Sequence, residues 1–297
     1  MKPFLAPAGY ALVAILCLPL SVEAHRAWML PSATVLSGGN LWVTVDAAIS
    51  NDLFYFEHNP IRLDNLAITA PDGSAVKAEN ASTGKFRSTF DVPLAQPGTY
   101  KIAVVNDMAA AMYEDGGETK RWRGAAEALA REVPAGAKNL QVSRTHSRTE
   151  VFVTAGKPTD KVLQPTGVGL ELVPITHPND LVQGEAASFR LLRDGKPAVD
   201  VAIAIVPGGI RYRDHLKEMA VSTDKDGKFV VTFPDAGMYW LSATVRSGGV
   251  PPAAAASHQG MGMAAGDNPP AGATPAQPPF RPGERAIYAA TLEVMAK

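Results

Sequence analysis

Along most of this chain hydrophobic and polar positions alternate with a period of two, the pattern of strands buried on one face. Over residues 33–48, Leu41, Val43 and Val45 fall on one side and Trp42, Thr44 and Asp46 on the other. Residues 66–69 predict a short strand ending in Pro71-Asp72-Gly73, where proline presets one backbone angle and glycine permits a positive one. Residues 86–92 and 99–105 predict two more strands, joined through Pro97-Gly98, and Val151-Phe152-Val153 closes this first series. A second series follows at 170–173, 187–192, 199–206, 229–233 and 239–245, with Asp194-Gly195 and Asp226-Gly227 as hairpin turns. The last strand covers 286–295, where Ile287, Ala289, Thr291 and Glu293 alternate with Tyr288, Ala290, Leu292 and Val294.

One local pattern occurs twice. Phe90-Asp91-Val92-Pro93 with Pro97-Gly98-Thr99-Tyr100 is echoed by Phe233-Pro234-Asp235 with Ala236-Gly237-Met238-Tyr239. A Gly-x-Tyr at a strand start resembles the tyrosine corner of immunoglobulin-like sandwiches, in which the phenol bonds back to nearby backbone. Two copies imply two sandwiches. Between the two series, Trp122, Ala125, Ala126, Leu129 and Ala130 recur near helical spacing, and Pro134 and Gly136 follow. That spacing predicts a helix over 118–132, covering an open end or edge of the first sandwich. Gly156-Lys157-Pro158 marks an exposed crossing between domains. The expected organisation is all-β: an N-terminal β-sandwich at 25–156 and a prealbumin-like or immunoglobulin-like β-sandwich at 157–297, with one short helix. Residues 250–282, rich in proline, alanine and glycine, are expected to form a disordered loop out of the second sandwich. Asp224-Lys225-Asp226-Gly227 lacks the further acidic ligands of a calcium loop and predicts a turn.

The start of the chain changes this picture. Lys2 precedes an apolar run over residues 11–20, and Val22 and Ala24 occupy the small-residue positions that a signal peptidase reads. Residues 1–24 are therefore expected to be a cleaved signal peptide, with a protein soluble in the periplasm as its product. The single cysteine, Cys17, lies inside that stretch behind Leu16, an unsuitable neighbour for lipid attachment, so the processed chain would have neither disulfide nor thiolate chemistry. A net charge of −1 with scattered basic residues gives no basis for a nucleic-acid partner.

Cleavage after Ala24 would make His25 the first residue, with a free α-amine beside its imidazole. Those two nitrogens close a chelate, and one more imidazole completes a three-nitrogen set that suits copper. The six histidines are His25, His58, His146, His177, His215 and His258. None shares a helical ligand spacing with another, so a site must be assembled by the fold. His58 lies with Asp52 and Glu57 in a loop after the first strand, a position where sandwiches commonly carry binding groups. His146 precedes the strand closing the first domain, and His177 follows the boundary, so either could face the junction. His258, Met261 and Met263 form a separate group whose thioethers favour monovalent copper. For each histidine the ordinary alternative is a surface or hydrogen-bonded side chain. There is no Gly-x-Ser-x-Gly elbow, phosphate loop, His-Glu-x-x-His or cysteine nucleophile, and no enzyme activity is expected.

Glu150-Val151-Phe152-Val153-Thr154-Ala155-Gly156-Lys157-Pro158-Thr159, the run from Gly169 through Thr176-His177-Pro178-Asn179-Asp180-Leu181, and Arg193-Asp194-Gly195-Lys196-Pro197, with Ala24-His25 and Trp28, resemble an exported bacterial domain-of-unknown-function family (family 4198). Its members are also described as NikM-like periplasmic components of nickel/cobalt uptake. The resemblance implies an all-β periplasmic protein that handles a transition metal ion (copper, nickel or cobalt) and works with an inner- or outer-membrane transporter. Two other functions stay open: a non-catalytic interaction or carbohydrate-binding module, suggested by the prealbumin-like second domain, and a copper-dependent oxidase using an N-terminal histidine brace.

Overall fold

The structure is a computed structural model that describes residues 25–247, 280 and 282–297. The expected signal peptide and nearly all of the Pro/Ala/Gly-rich stretch, with His258, Met261 and Met263, lie outside the described residues. The first half supplies β1 (Arg26–Pro31), β2 (Val35–Leu36), β3 (Trp42–Ser50), β4 (Asn59–Pro60), β5 (Leu66–Thr69) and β6 (Ala75–Val76). It continues with β7 (Glu79–Thr83), β8 (Ser88–Pro93), β9 (Gly98–Asp115), β10 (Glu118–Ala125), the helix α1 (Leu129–Glu132) and β11 (Lys138–Ala155). The second half adds β12 (Leu170–Pro174), β13 (Ala186–Arg193), β14 (Lys196–Pro197) and β15 (Ala202–Pro207). It ends with β16 (Met219–Ser222), β17 (Lys228–Thr232), β18 (Gly237–Ser247) and β19 (Gly283–Val294). The protein is an all-β sandwich protein with one short helix.

Three sheets form. The central one has ten strands and runs β16-β15-β18-β19-β11-β9-β5-β6, with β10 beside β9 and β2 beside β11. The chain's last strand, β19, lies parallel to β11 and antiparallel to β18, which joins the two halves in one continuous sheet. A second sheet, β1-β3-β8-β7 with β4, and a third, β12-β13-β14 with β17, cover it.

Register shows which face each covers, because residues opposite each other on paired strands point the same way. On β11, Val151 and Val153 join Met29, Val43, Phe90 and Ile102 in the first core, beneath the β1–β3–β8 sheet. Glu150, one position away, is opposite Ala290 of β19, and Ala290 belongs with Tyr288 and Leu292 to the second core, beneath the β12–β13–β17 sheet. The covering sheets therefore sit on opposite faces of the central sheet. Where they meet, side chains from both halves are buried together.

Both tyrosine corners are present. The Tyr100 hydroxyl donates to the Gln96 carbonyl at 2.9 Å and accepts the Gln96 N–H at 2.7 Å, and the Tyr239 hydroxyl donates to the Asp235 carbonyl at 2.8 Å. Asp194 and Gly195, both at positive φ, make the tight turn joining β13 to β14. Asp226-Gly227 instead carries the chain from β16 in the central sheet to β17 in the third, so the hairpin expected there is a crossing between sheets.

The helix expected over 118–132 is largely absent: Glu118–Ala125 is strand β10, and only Leu129–Glu132 is α-helical. Gly116 and Gly117, at φ of 63° and 84°, form a two-residue hairpin loop that pairs Glu118 with Asp115 and returns the chain along β9. With a long partner strand alongside, a ladder of backbone bonds outweighs the helical spacing of Trp122 and Ala125. Trp122, Leu129, Val133, Ala111 and Tyr113 still make a small core, on the face of the β9–β10 arm that the helix covers.

Candidate functional site

His25 and His58 are the two expected ligands that the fold brings together. Arg26 opens β1 and pairs with Ser50 of β3, while Asn59 opens β4 and pairs with Ile49 of the same strand. β1 and β4 therefore flank the end of β3 on opposite edges, roughly 10 Å apart at two strand spacings. Each histidine immediately precedes its strand, and the side chains span that gap. Their rings stack with centroids 4.0 Å apart and planes inclined by 19°. Both residues are exposed.

The loop between them, residues 51–58, is held from inside. The Trp28 indole N–H donates to Ser50 Oγ at 2.7 Å, and Ser50 Oγ donates to the Asp52 carbonyl at 2.6 Å. Phe54 and Phe56 pack against the fully buried Trp28 ring, at centroid distances of 5.4 and 5.7 Å. Glu57 Oε1 accepts the N–H groups of Asn51 and Asp52, at 2.7 and 3.0 Å, which folds the loop back on the residue before His58. The second half presses on the same loop. Phe54 lies against Gly208, and the Arg211 guanidinium sits over the Tyr55 ring at 3.9 Å.

The donors that meet here are two imidazoles. Among the described residues no group of three His, Cys, Asp or Glu side chains has the geometry to hold a metal ion.

The other described candidates, His146 and His177, stand apart from this pair. His177 is half-buried at the junction with both ring nitrogens engaged: Nδ1 accepts the Asn179 N–H at 3.1 Å and Nε2 lies 3.0 Å from the Thr99 hydroxyl. It ties the segment after the crossing to the start of β9, and burial lowers its pKa from the usual histidine value. His146 lies in a cleft of about 210 Å³ with Asp107, Arg144, Arg193, Asp194 and Glu284. Its Nδ1 is buried against Gly169 without a hydrogen-bond partner, and burial lowers its pKa too, favouring the neutral ring. The acidic groups of that cleft pair with arginines, Asp107 with Arg144 and Glu284 with Arg193.

Residues that the sequence reading passed over also shape the region. Trp240 of β18 is buried with Trp28 and donates its indole N–H to the Ala27 carbonyl at 2.9 Å. On the opposite face, buried Arg148 contacts Glu150 at 3.0 Å and Glu171 at 3.6 Å, and the Tyr288 hydroxyl donates to Glu150 at 2.8 Å. The sequence cue for the second set is two charges on a strand that must be covered on both sides.

The family model described as "Domain of unknown function (DUF4198)" matches residues 22–247, and the chain belongs to that family. No curated protein matches it. Among solved structures, it aligns with a DUF4785 family protein from Legionella pneumophila at 9% identity, over 75% of this chain and 52% of the other, with a TM-score of 0.22. The chain thus spans about half the length of that protein. It aligns with the D0-D1 domain of intimin at 11% identity, over 72% of this chain and 88% of the other, with a TM-score of 0.18.

Proposed function

For this member of the DUF4198 family, we propose a periplasmic transition-metal-binding protein whose centre is built on the His25–His58 pair. Cleavage after Ala24 frees the α-amine of His25. Amine, His25 ring and His58 ring then offer three nitrogens, a set that favours copper(II) in the ordinary order of divalent affinities, with nickel and cobalt below it. The carrying observation is the ring pair itself, 4.0 Å apart on strands that flank one strand end. Because both rings are exposed, turning their nitrogens toward a common ion displaces no packed neighbour. His146 and His177 serve the fold in this reading and are not ligands. The likeness to NikM-like proteins suggests the role: holding the ion for, or passing it to, an uptake or resistance system in the envelope.

The test is a copper(II) titration, followed by paramagnetic resonance, of three proteins: one beginning at His25, one carrying a single extra residue before it, and His58→Ala. The proposal expects a spectrum with several nitrogen couplings in the first, and an affinity about a hundredfold weaker in the other two, since losing a ligand should cost at least the upper end of the roughly 10–100-fold that loss of an outer-shell partner costs. Equal affinity with and without the extra residue refutes the amine as a ligand. Equal affinity in His58→Ala refutes the pair.

A further inference from the structure

A chain start is poorly ordered unless something ties it down. After cleavage, His25 would be held only by the residues that follow it, and among the described residues the edge strand β1 has a β-partner on one side alone, β3. Its other side meets Trp240. The indole N–H bonds the Ala27 carbonyl at 2.9 Å, and the Arg26 guanidinium lies 5.7 Å from the indole centroid. Arg26 Nη1 also donates to the Asn51 carbonyl at 2.8 Å, joining the start of β1 to the loop that carries His58. One side chain of the second half thus anchors both residues that follow His25. Trp240 faces this way because it is opposite Thr291 on β19, one step out of phase with Tyr239 and Leu241, which point into the second core.

Building on the proposed metal site, we propose that Trp240 is a positioning residue for the His25–His58 centre, which makes the centre a joint product of the two halves. The second sandwich then serves metal binding without supplying a ligand: its indole holds β1 where the His25 amine and ring meet the His58 ring. Removing the indole N–H leaves the Ala27 carbonyl unbonded and frees the first residues to move away from His58.

The experiment uses the full processed chain beginning at His25. Trp240→Phe keeps an aromatic ring under Arg26 but cannot donate to Ala27, and Arg26→Met removes the exposed link to Trp240 and Asn51 with little risk to folding. Ile203→Val is the control, since it loosens the second core without touching the Ala27 carbonyl. Copper(II) titration should show an affinity about tenfold weaker in Trp240→Phe, the order expected for one lost hydrogen bond, a smaller loss in Arg26→Met, and no change in Ile203→Val. In metal-free protein an aminopeptidase should release His25 faster from Trp240→Phe than from the wild type. Wild-type binding with unchanged affinity in both Trp240→Phe and Arg26→Met overturns the positioning role and leaves the metal reading intact. An equal loss in Ile203→Val overturns it as well, because general loosening would then explain the effect. A wild type that binds no copper refutes the metal reading and this proposal with it.

Discussion

Tyr288→Phe is the sharpest test of how the two halves are joined. Tyr288 is fully buried on β19, and its hydroxyl donates to Glu150 Oε2 at 2.8 Å. The other carboxylate oxygen of Glu150 is met by Arg148 at 3.0 Å, and Arg148 also reaches Glu171, which accepts the Thr166 N–H and hydroxyl and the Gly167 N–H. Phenylalanine fills the same space and makes no replacement bond, so Oε2 of a carboxylate only 3% exposed would be left facing hydrocarbon. A hydrogen bond to a buried charge contributes about 1.5–3 kcal/mol, and the loss here should fall toward the upper end, since water cannot reach the site. Arg148→Met removes the cation that bridges two buried carboxylates and should cost more, about 3–5 kcal/mol.

The assay is equilibrium unfolding in urea, comparing midpoints at equal slope so that a change in the unfolded state is not mistaken for a change in stability. A double-mutant cycle with Glu150→Leu, which leaves the hydroxyl no acceptor, isolates the bond, and a coupling of about 1 kcal/mol or more is expected for groups in one network. A Tyr288→Phe protein within about 0.5 kcal/mol of wild type, or strict additivity with Glu150→Leu, would show that this hydroxyl–carboxylate bond does not hold the junction.

Two further outcomes follow from the same region. Gly169→Ala should lower the melting temperature by several degrees, because Gly169 has φ of +71° and an added Cβ would lie 2.1 Å from His146 Nδ1; a left-handed non-glycine residue alone costs about 1–3 kcal/mol, and an unchanged melting temperature would contradict the packing described. Stability should fall on both sides of neutral pH. Burial lowers the pKa of His146 and His177, so the unfolded chain takes up protons first and stability is lost as pH drops below about 6.5, with Glu171, held low by its N–H and hydroxyl donors and by Arg148 against the effect of burial, adding a further loss below about 4.5. Burial beside Glu150 raises the Tyr288 pKa well above 10.0, so stability is lost again as pH climbs past that value, and Tyr288→Phe should flatten this alkaline limb; a pH profile flat from 7 to 5 would refute the burial of the two histidines.

Strand identity was legible where one face of a strand meets water. The alternation around Val43 and Val45 became β3, and the two Gly-x-Tyr starts became corners whose hydroxyls bond four residues back, because each is a local arrangement of turn, ring and backbone. The helix reading failed for a reason equally local: Gly116-Gly117 was a stronger signal than the spacing of Trp122 and Ala125, since it set the register of a ladder that a four-residue apolar period could not match. Nothing local, by contrast, marks the continuous central sheet. Pairing β19 with β11 joins segments with most of the second half between them, and it is this pairing that buries Arg148, Glu150 and Tyr288 together.

The candidate site divides the same way. His25 stood out through the predicted cleavage, and His58 through its place in a polar loop after the first strand. What brings their rings to 4.0 Å is the arrangement of β1 and β4 on either edge of β3, a long-range pairing that no spacing in the sequence encodes. Trp240 is more remote still, bonded to Ala27 across 213 positions. Its role follows from phase alone: a tryptophan placed between Tyr239 and Leu241 on a strand covered on both faces has to fill the space opposite theirs. At the end of β18 nearest the histidine pair, that space is the underside of β1. An exposed pair of rings has little burial of its own to fix it, so its placement rests on rigid neighbours from both halves: the Trp28–Ser50 anchor and the Glu57 bonds from the first, and Trp240 from the second.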